Sequence, residues 1–161
     1  MKDNKLNELL EIAIGASIEA GEQILEVYNK DFNVELKGDN SPLTLADKKS
    51  HDLIFARLSM TDYPVLSEEG KSIPYNKRKT WTTFWMVDPL DGTKEFIKRN
   101  GEFTVNIALI EDNKPILGVI YIPVQQKLYF ASVYLGSYKV NLVSTSNHNS
   151  ISEFIEVMII F

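Results

Sequence analysis

The chain is organised around one short segment, which reads Phe84-Trp85-Met86-Val87-Asp88-Pro89-Leu90-Asp91-Gly92-Thr93. Its first four residues are apolar and lead directly into Asp88, a pattern typical of a central strand whose C-terminal end exposes a carboxylate. Pro89 fixes its own φ dihedral and Gly92 is free to bend, so a tight turn is predicted at residues 88–91. Such a turn would point Asp88 and Asp91 into one site.

Two carboxylates in one turn offer oxygen ligands, which Mg²⁺ prefers in a near-octahedral arrangement. Asp88, Asp91 and the carbonyl of Leu90 are therefore predicted to bind a metal ion. Glu68 follows the apolar residues 64–66, which are predicted to end a buried strand, and it would complete the ligand set.

A helix is predicted to begin at Thr93 and to continue to Phe96. The backbone N–H groups of Gly92 and Thr93 would then form an anion site beside the metal ions, because the N-terminus of a helix attracts negative charge. A metal site and a phosphate site would thus be adjacent.

Each of these patterns also has an ordinary structural explanation. Asp-Pro-x-Asp-Gly is a common turn, and Ser67-Glu68-Glu69 alone is typical of a solvated loop. Thr44 and Asp47 alone indicate a helix start, with Thr44 as the N-cap and Asp47 in the first turn. The order and combination of the three segments are what favour a metal site.

The flanking sequence predicts two long helices and several strands. Apolar residues recur at helical spacing over 6–28, and a second helix over 46–58 would bury Ile54, Phe55 and Leu58. Strands are predicted at 32–36, 84–87, 103–110, 116–122 and 127–131, with loops at 38–42 and 71–79 and a turn at 111–115. Helices followed by a run of strands indicate an α+β or layered α/β fold.

The last residues have a different character. Residues 144–150 form a polar linker and residues 157–161 are all apolar. This end is either a last strand or helix packed in the core, or the product of a truncation.

Composition excludes several classes of protein. The net charge is −5 and Lys and Arg form no cluster, so a nucleic-acid partner is not expected. There is no cysteine, which rules out disulfides and thiolate metal sites. The amphipathic N-terminus is unlike a signal peptide, and no apolar run reaches the ~20 residues of a transmembrane helix, so a cytoplasmic protein is expected. His51 is predicted to face solvent and His148 lies in the polar linker, and neither is placed as a base.

The chain resembles the inositol monophosphatase-like metal-dependent phosphatases, and within them the CysQ type, the 3′(2′),5′-bisphosphate nucleotidases. The resemblance implies the N-terminal half of an αβαβα sandwich, with two long helices packed on a largely antiparallel sheet. It rests on Ser41-Pro42-Leu43-Thr44-Leu45-Ala46-Asp47, on Pro64-Val65-Leu66-Ser67-Glu68-Glu69, and on the long segment from Trp85 to Ala108 that contains Asp88-Pro89-Leu90-Asp91-Gly92-Thr93-Lys94-Glu95-Phe96 and Asn100-Gly101-Glu102-Phe103.

The resemblance also implies a reaction and its residues. Two or more Mg²⁺ ions and a metal-activated water would hydrolyse 3′-phosphoadenosine 5′-phosphate to AMP and phosphate, in a cytoplasmic protein that can associate with the inner face of the membrane. Asp47 and Thr93 would orient and deprotonate the water. The implied metal ligands are Glu68, Asp88, Leu90 and Asp91, and the implied phosphate-binding residues are Gly92, Thr93 and Lys94.

The resemblance ends near Val143. The family continues into a second half with a Trp-Asp-x-Ala-Ala type motif, which this sequence lacks after Asp91, where Asp112 sits in a predicted turn. We therefore expect a metal-binding domain at 1–143 and a divergent or truncated tail at 144–161. The uncovered sheet edge would then invite pairing with a companion chain or self-association.

Three alternatives remain open from the sequence. The chain could be a non-catalytic fragment that binds a metal or a partner, or a phosphatase that prefers inositol or sugar phosphates. A weaker alternative is a metal-independent hydrolase that uses paired carboxylates as acid and base, whose activity would survive EDTA.

Overall fold

The structure, a computed structural model, describes residues 3–30 and 42–142 and the backbone of residues 159–160. Its helices are α1 (Asp3–Tyr28), α2 (Pro42–Leu58), α3 (Tyr75–Arg78) and α4 (Thr93–Lys98). Its strands are β1 (Val65–Ser67), β2 (Thr83–Asp91), β3 (Thr104–Glu111), β4 (Lys114–Ile122), β5 (Lys127–Ser132), β6 (Gly136–Asn141) and β7 (Ile159–Ile160).

The first helix is confirmed, and it begins three residues earlier than predicted. The second helix begins at Pro42 rather than at residue 46, because proline lacks an N–H and is well suited to the first helical position. Thr44 therefore lies inside α2 and is not the N-cap, and Asp47 lies in the second turn rather than the first. Ile54 and Leu58 are buried as predicted, whereas Phe55 is 46% exposed and stacks on His51.

The strands form one sheet in sequential order from β1 to β7. Only the pair of β1 and β2 is parallel among the strands described, and the other pairs are antiparallel. The predicted turn at 111–115 is shorter in the structure, because Asp112 and Asn113 both adopt positive φ and close a two-residue hairpin. The layered α/β fold with a largely antiparallel sheet is thus confirmed.

Several predicted segments differ or lie elsewhere. A one-turn helix, α3, interrupts the predicted loop at 71–79. For β6, Tyr138 was predicted as a strand residue, but no strand bounds were predicted. The predicted strand at 32–36, His148 and the polar linker lie outside the described residues. Of the predicted loop at 38–42 only Pro42 is described, and it begins α2 instead.

The two faces of the sheet differ. One face packs against α1 and α2 and is buried, and its largest side chain is Trp85. On the other face no helix of the described segments covers the sheet, and we call this the open face. The open face bounds a cavity of about 860 Å³ and includes Met86, Ala108, Gly118, Ile120 and Ala131.

No helix in the described ranges is both long and apolar enough to cross a membrane.

Gly21 allows α1 to lie close to the sheet. A Cβ atom at this position would lie 2.8 Å from Cδ1 of Tyr121 and 3.1 Å from Cγ of Pro123. We expect Gly21→Ala to lower the free energy of unfolding by about 1–3 kcal/mol, because overpacking costs more than the gain in helix propensity. Chemical denaturation would measure this change. Gly15→Ala is the control, since a Cβ there meets nothing within 4 Å; equal effects of the two substitutions would contradict the account.

Candidate active site

A β-bulge in β2 places Asp88 and Asp91 on the same face. Asp88 pairs with Asn106 and Asp91 pairs with Thr104, with an irregularity between the two pairs. Three steps along β2 therefore match two steps along β3, so β2 carries one extra residue. Because side chains two apart on a strand share a face, both carboxylates point to the side that Asn106 and Thr104 occupy.

The prediction of a tight turn at 88–91 is therefore wrong. The expected result of that turn, with Asp88 and Asp91 on the same side, is nevertheless found. The chain does not reverse there but continues as β2 to Asp91. Pro89 is tolerated because it lies unpaired in the bulge, where its missing N–H removes no hydrogen bond between the strands.

Helix α2 stabilises the bulge from the buried face of the sheet. The buried hydroxyl of Ser50 donates a hydrogen bond to the carbonyl oxygen of Pro89 at 2.8 Å. Ser50 lies three residues after Asp47, which places both side chains on one side of α2. The bond thus fixes the bulge relative to Asp47.

Strand β1 brings Glu68 beside Asp88. Ser67 pairs with Val87 in the parallel register, and the backbone N–H of Glu68 donates to the carbonyl of Val87 at 3.1 Å. Glu68 is exposed at the C-terminal end of β1, and its carboxylate is close enough to Asp88 to raise the pKa of that residue. The structure thus places Glu68 and Asp88, two of the predicted metal ligands, next to each other.

Asp47 has an unusual environment for a carboxylate. It is only 9% exposed. Burial, together with the negative charges of Glu69, Asp88 and Glu68, raises its pKa to about 7. Asp47 therefore exchanges a proton near neutral pH, as a general base requires.

Asp88 is affected in the same way. Its pKa is raised to about 6, mainly by burial and also by the neighbouring Glu68 and Asp91 carboxylates. A hydrogen bond with the backbone of Leu90 opposes this shift. The site thus concentrates negative charge without a basic side chain among these groups, and a cation would relieve that repulsion.

The segment after the bulge is held by packing. Gly92 has a φ of 94°, and a Cβ there would lie 3.0 Å from the carbonyl oxygen of Glu102. The rings of Tyr28, Phe96 and Phe103 contact one another, with centroid distances of 5.0–5.4 Å. This contact joins the end of α1 to α4 and to the start of β3.

The predicted phosphate-binding residues lie at the start of α4. Thr93 is its first residue, and the side chains of Thr93 and Lys94 are exposed. The predicted helix at 93–96 is confirmed and extends to Lys98. The pairing of Thr93 with Asp47, and the phosphate-binding roles, remain predictions.

The carboxylates fit Mg²⁺ by their chemistry, although they do not form a closed cage. Among the residues that the structure describes, no three His, Asp or Glu side chains converge tightly enough to enclose a cation. Mg²⁺ does not require such a cage, since it usually retains several waters and binds through one or two carboxylates and substrate phosphate. Glu68, Asp88, Asp91 and the Leu90 carbonyl could hold it in that manner.

The sequence missed several residues around this site. His51 is partly buried rather than solvent-facing, and its Nδ1 lies 2.8 Å from the hydroxyl of Ser67. Its position four residues after Asp47, on the same side of α2, was the available signal. Asn106 was also missed, although it is a polar residue in the otherwise apolar alternation of β3.

Comparison with known proteins identifies the family of the chain. The model of the inositol monophosphatase family matches residues 5–159. The chain is 54% identical over 117 residues to the 3′(2′),5′-bisphosphate nucleotidase CysQ of Escherichia coli K12, which covers 70% of this chain and 47% of that protein. It is 38% identical over 144 residues to the corresponding CysQ of Haemophilus influenzae, covering 88% of this chain and 52% of that one.

Solved structures show the same relationship. The crystal structure of CysQ from Bacteroides thetaiotaomicron, described as a bacterial member of the inositol monophosphatase family, superposes with a TM-score of 0.89 at 47% identity. The match covers 96% of this chain and 58% of that one. The chain thus spans about half the length of the curated relatives that it matches. From the family match over most of its length, the chain belongs to the inositol monophosphatase family.

Proposed function

We propose that the chain provides the metal-binding part of a Mg²⁺-dependent phosphatase that removes the 3′-phosphate of 3′-phosphoadenosine 5′-phosphate, giving AMP and phosphate. The observation that carries the proposal is the bulge in β2, which puts Asp88 and Asp91 on one face beside Glu68. The relatives' names, 3′(2′),5′-bisphosphate nucleotidase, support the choice of substrate.

Each residue has a role that follows from its position. Glu68, Asp88, Asp91 and the Leu90 carbonyl hold two or more Mg²⁺ ions, which would neutralise the phosphate ester and lower the pKa of a bound water. Asp47, which is 9% exposed and lies beside these carboxylates, accepts the proton of the attacking water. Thr93 orients that water together with Asp47.

The phosphate group lies at the start of α4 in this proposal. Gly92 and Thr93 offer backbone N–H groups to its oxygens, and Lys94 adds an exposed positive charge. The reaction takes place in the cytoplasm on a small molecule, and the net charge of −5 argues against nucleic acid.

The open face favours a second candidate, a partner-binding role. Met86 and Ile120 are each 47% exposed on it, and an apolar surface of this kind usually packs against another polypeptide. The partner that we propose is polypeptide equivalent to the half of the relatives' length that this chain does not span. In that case the chain binds metal but needs its partner for turnover.

Phosphate release tests both candidates. We expect the purified chain to release phosphate from 3′-phosphoadenosine 5′-phosphate only with Mg²⁺, at least about 10-fold faster than from inositol 1-phosphate. Asp91→Asn should abolish the release. Faster release from inositol 1-phosphate would favour the alternative substrate class, and release that survives EDTA would contradict the metal. A folded chain that binds Mg²⁺ without turnover would favour the partner-binding role.

A further inference from the structure

Two polar side chains on β3 stand directly opposite the carboxylates of β2. Thr104 pairs with Asp91, and Asn106 pairs with Asp88. Further along the same face, β3 presents the apolar Ala108 and Ile110. The polar end of the face thus coincides with the candidate metal site.

The three side chains form a chain of hydrogen bonds. The Thr104 hydroxyl donates to Oδ1 of Asn106 at 3.1 Å, and Nδ2 of Asn106 donates to Oδ2 of Asp91 at 3.1 Å. The direction is set by chemistry, because an ionised carboxylate can only accept. The amide nitrogen must therefore face Asp91, and the Thr104 hydroxyl stabilises this orientation by occupying the amide oxygen.

Asp91 needs such support more than Asp88 does. Asp91 is exposed at the end of β2. An exposed side chain samples several rotamers, and fixing it in one of them costs conformational entropy. Asp88 is partly buried, which already limits the conformations of its side chain. The bond from Asn106 engages one oxygen of Asp91, and the other is the atom that would face a cation.

We infer that Thr104 and Asn106 are positioning residues, which preset the Asp91 carboxylate for Mg²⁺ through the relay Thr104 to Asn106 to Asp91. The inference rests on the proposed metal-dependent function. Supporting residues of this kind typically change metal affinity about 10–100-fold when removed. A purely structural role in the sheet would instead change stability and leave the affinity unaltered.

Calorimetric titration of the full chain with Mg²⁺ alone tests the relay. We expect Asn106→Ala to weaken Mg²⁺ binding about 10-fold, with a thermal midpoint close to that of the unaltered chain. Thr104→Val should weaken binding in the same direction by a smaller factor, whereas Thr104→Ser keeps the hydroxyl and should restore it. Asn141→Ala, at an exposed position at the end of β6, is the matched control and should bind normally.

The results distinguish failure of the relay from failure of the proposed Mg²⁺-dependent function. Unchanged affinity in Asn106→Ala, when the unaltered chain binds Mg²⁺, would overturn the relay and leave the proposed function intact. A loss of affinity that Thr104→Ser fails to restore would exclude Thr104 from it. If the unaltered chain does not bind Mg²⁺, the proposed function fails and the inference fails with it. A second measurement detects the hydrogen bond itself and does not depend on the folding of the Asn106 variant. In NMR spectra recorded without metal, the side-chain amide signal of Asn106 should shift in Asp91→Asn, because its acceptor has changed.

Discussion

Asp88→Asn is expected to lower the affinity of the chain for Mg²⁺ by at least about 100-fold at pH 8. The substitution keeps the shape of the side chain and removes one charge from the group that the bulge in β2 assembles. Because Asp88 lies next to Glu68 and between the other carboxylates, it is the ligand whose loss most reduces the attraction for a cation. Losses of supporting residues already cost 10–100-fold, so a direct ligand should cost more.

Calorimetry above pH 7 makes this measurement, since the pKa of Asp88 is about 6 and the carboxylate is then ionised. Asp112→Asn is the matched control. Asp112 lies in the hairpin turn with a φ of 50°, a conformation that asparagine adopts as readily. The affinity of the Asp112→Asn variant for Mg²⁺ should therefore be unchanged. A similar loss in both variants would mean that net charge, rather than the site, governs binding.

Asp47→Asn should have opposite effects on activity and on stability. It should abolish Mg²⁺-dependent hydrolysis, because the proposed base is lost. Without metal it should raise the free energy of unfolding at pH 8 by about 1–3 kcal/mol, since one pKa unit corresponds to about 1.4 kcal/mol and partial solvent screening reduces the effect. The side chain is buried among like charges, so its ionisation opposes folding.

The sign of the pH dependence follows from the raised pKa. The unfolded carboxyl loses its proton near 3.8 and the folded one near 7, so between these values the folded state holds more protons. The stability of the metal-free chain should therefore fall as pH rises from about 4 to about 7. Asp47→Asn should flatten this fall, and the two chains should converge at low pH.

Urea denaturation at several pH values in EDTA would record this difference. Asp52→Asn is the control, because Asp52 is exposed on the same helix and should leave the pH dependence unaltered. A lower stability of Asp47→Asn at pH 8 would show that the ionised carboxylate supports the fold, contrary to the account.

The sequence predicted the elements of the fold well because their patterns are local. The helical spacing over 6–28 and the alternation in β3, β4 and β5 follow from side chains within each element. The start of α2 was misplaced because Thr44 is a good N-cap residue, and the preference of Pro42 for the first helical position outweighed it. Phe55 was predicted inside because its spacing is that of the buried face, but it packs on His51 at the surface.

The sequence predicted that Asp88 and Asp91 lie together, and the structure brings them together by a geometry that was not predicted. A turn and a bulge both bring Asp88 and Asp91 together, and they differ only in how β2 pairs with β3. That pairing joins residues more than ten apart in sequence, so it cannot be predicted from the pattern of neighbouring residues. The Asn106 contact with Asp91 and the Ser50 contact with Pro89 depend on the same distant packing.

The most direct test of the central claim, that the bulge in β2 builds a divalent-cation site, is a crystal of the chain grown with Mn²⁺ and measured at the manganese absorption edge. Mn²⁺ accepts the same oxygen ligands as Mg²⁺. The account predicts an anomalous peak about 2.0–2.3 Å from carboxylate oxygens of Asp88, Asp91 and Glu68. A peak only elsewhere on the chain, or no peak at this position at saturating Mn²⁺, would contradict it.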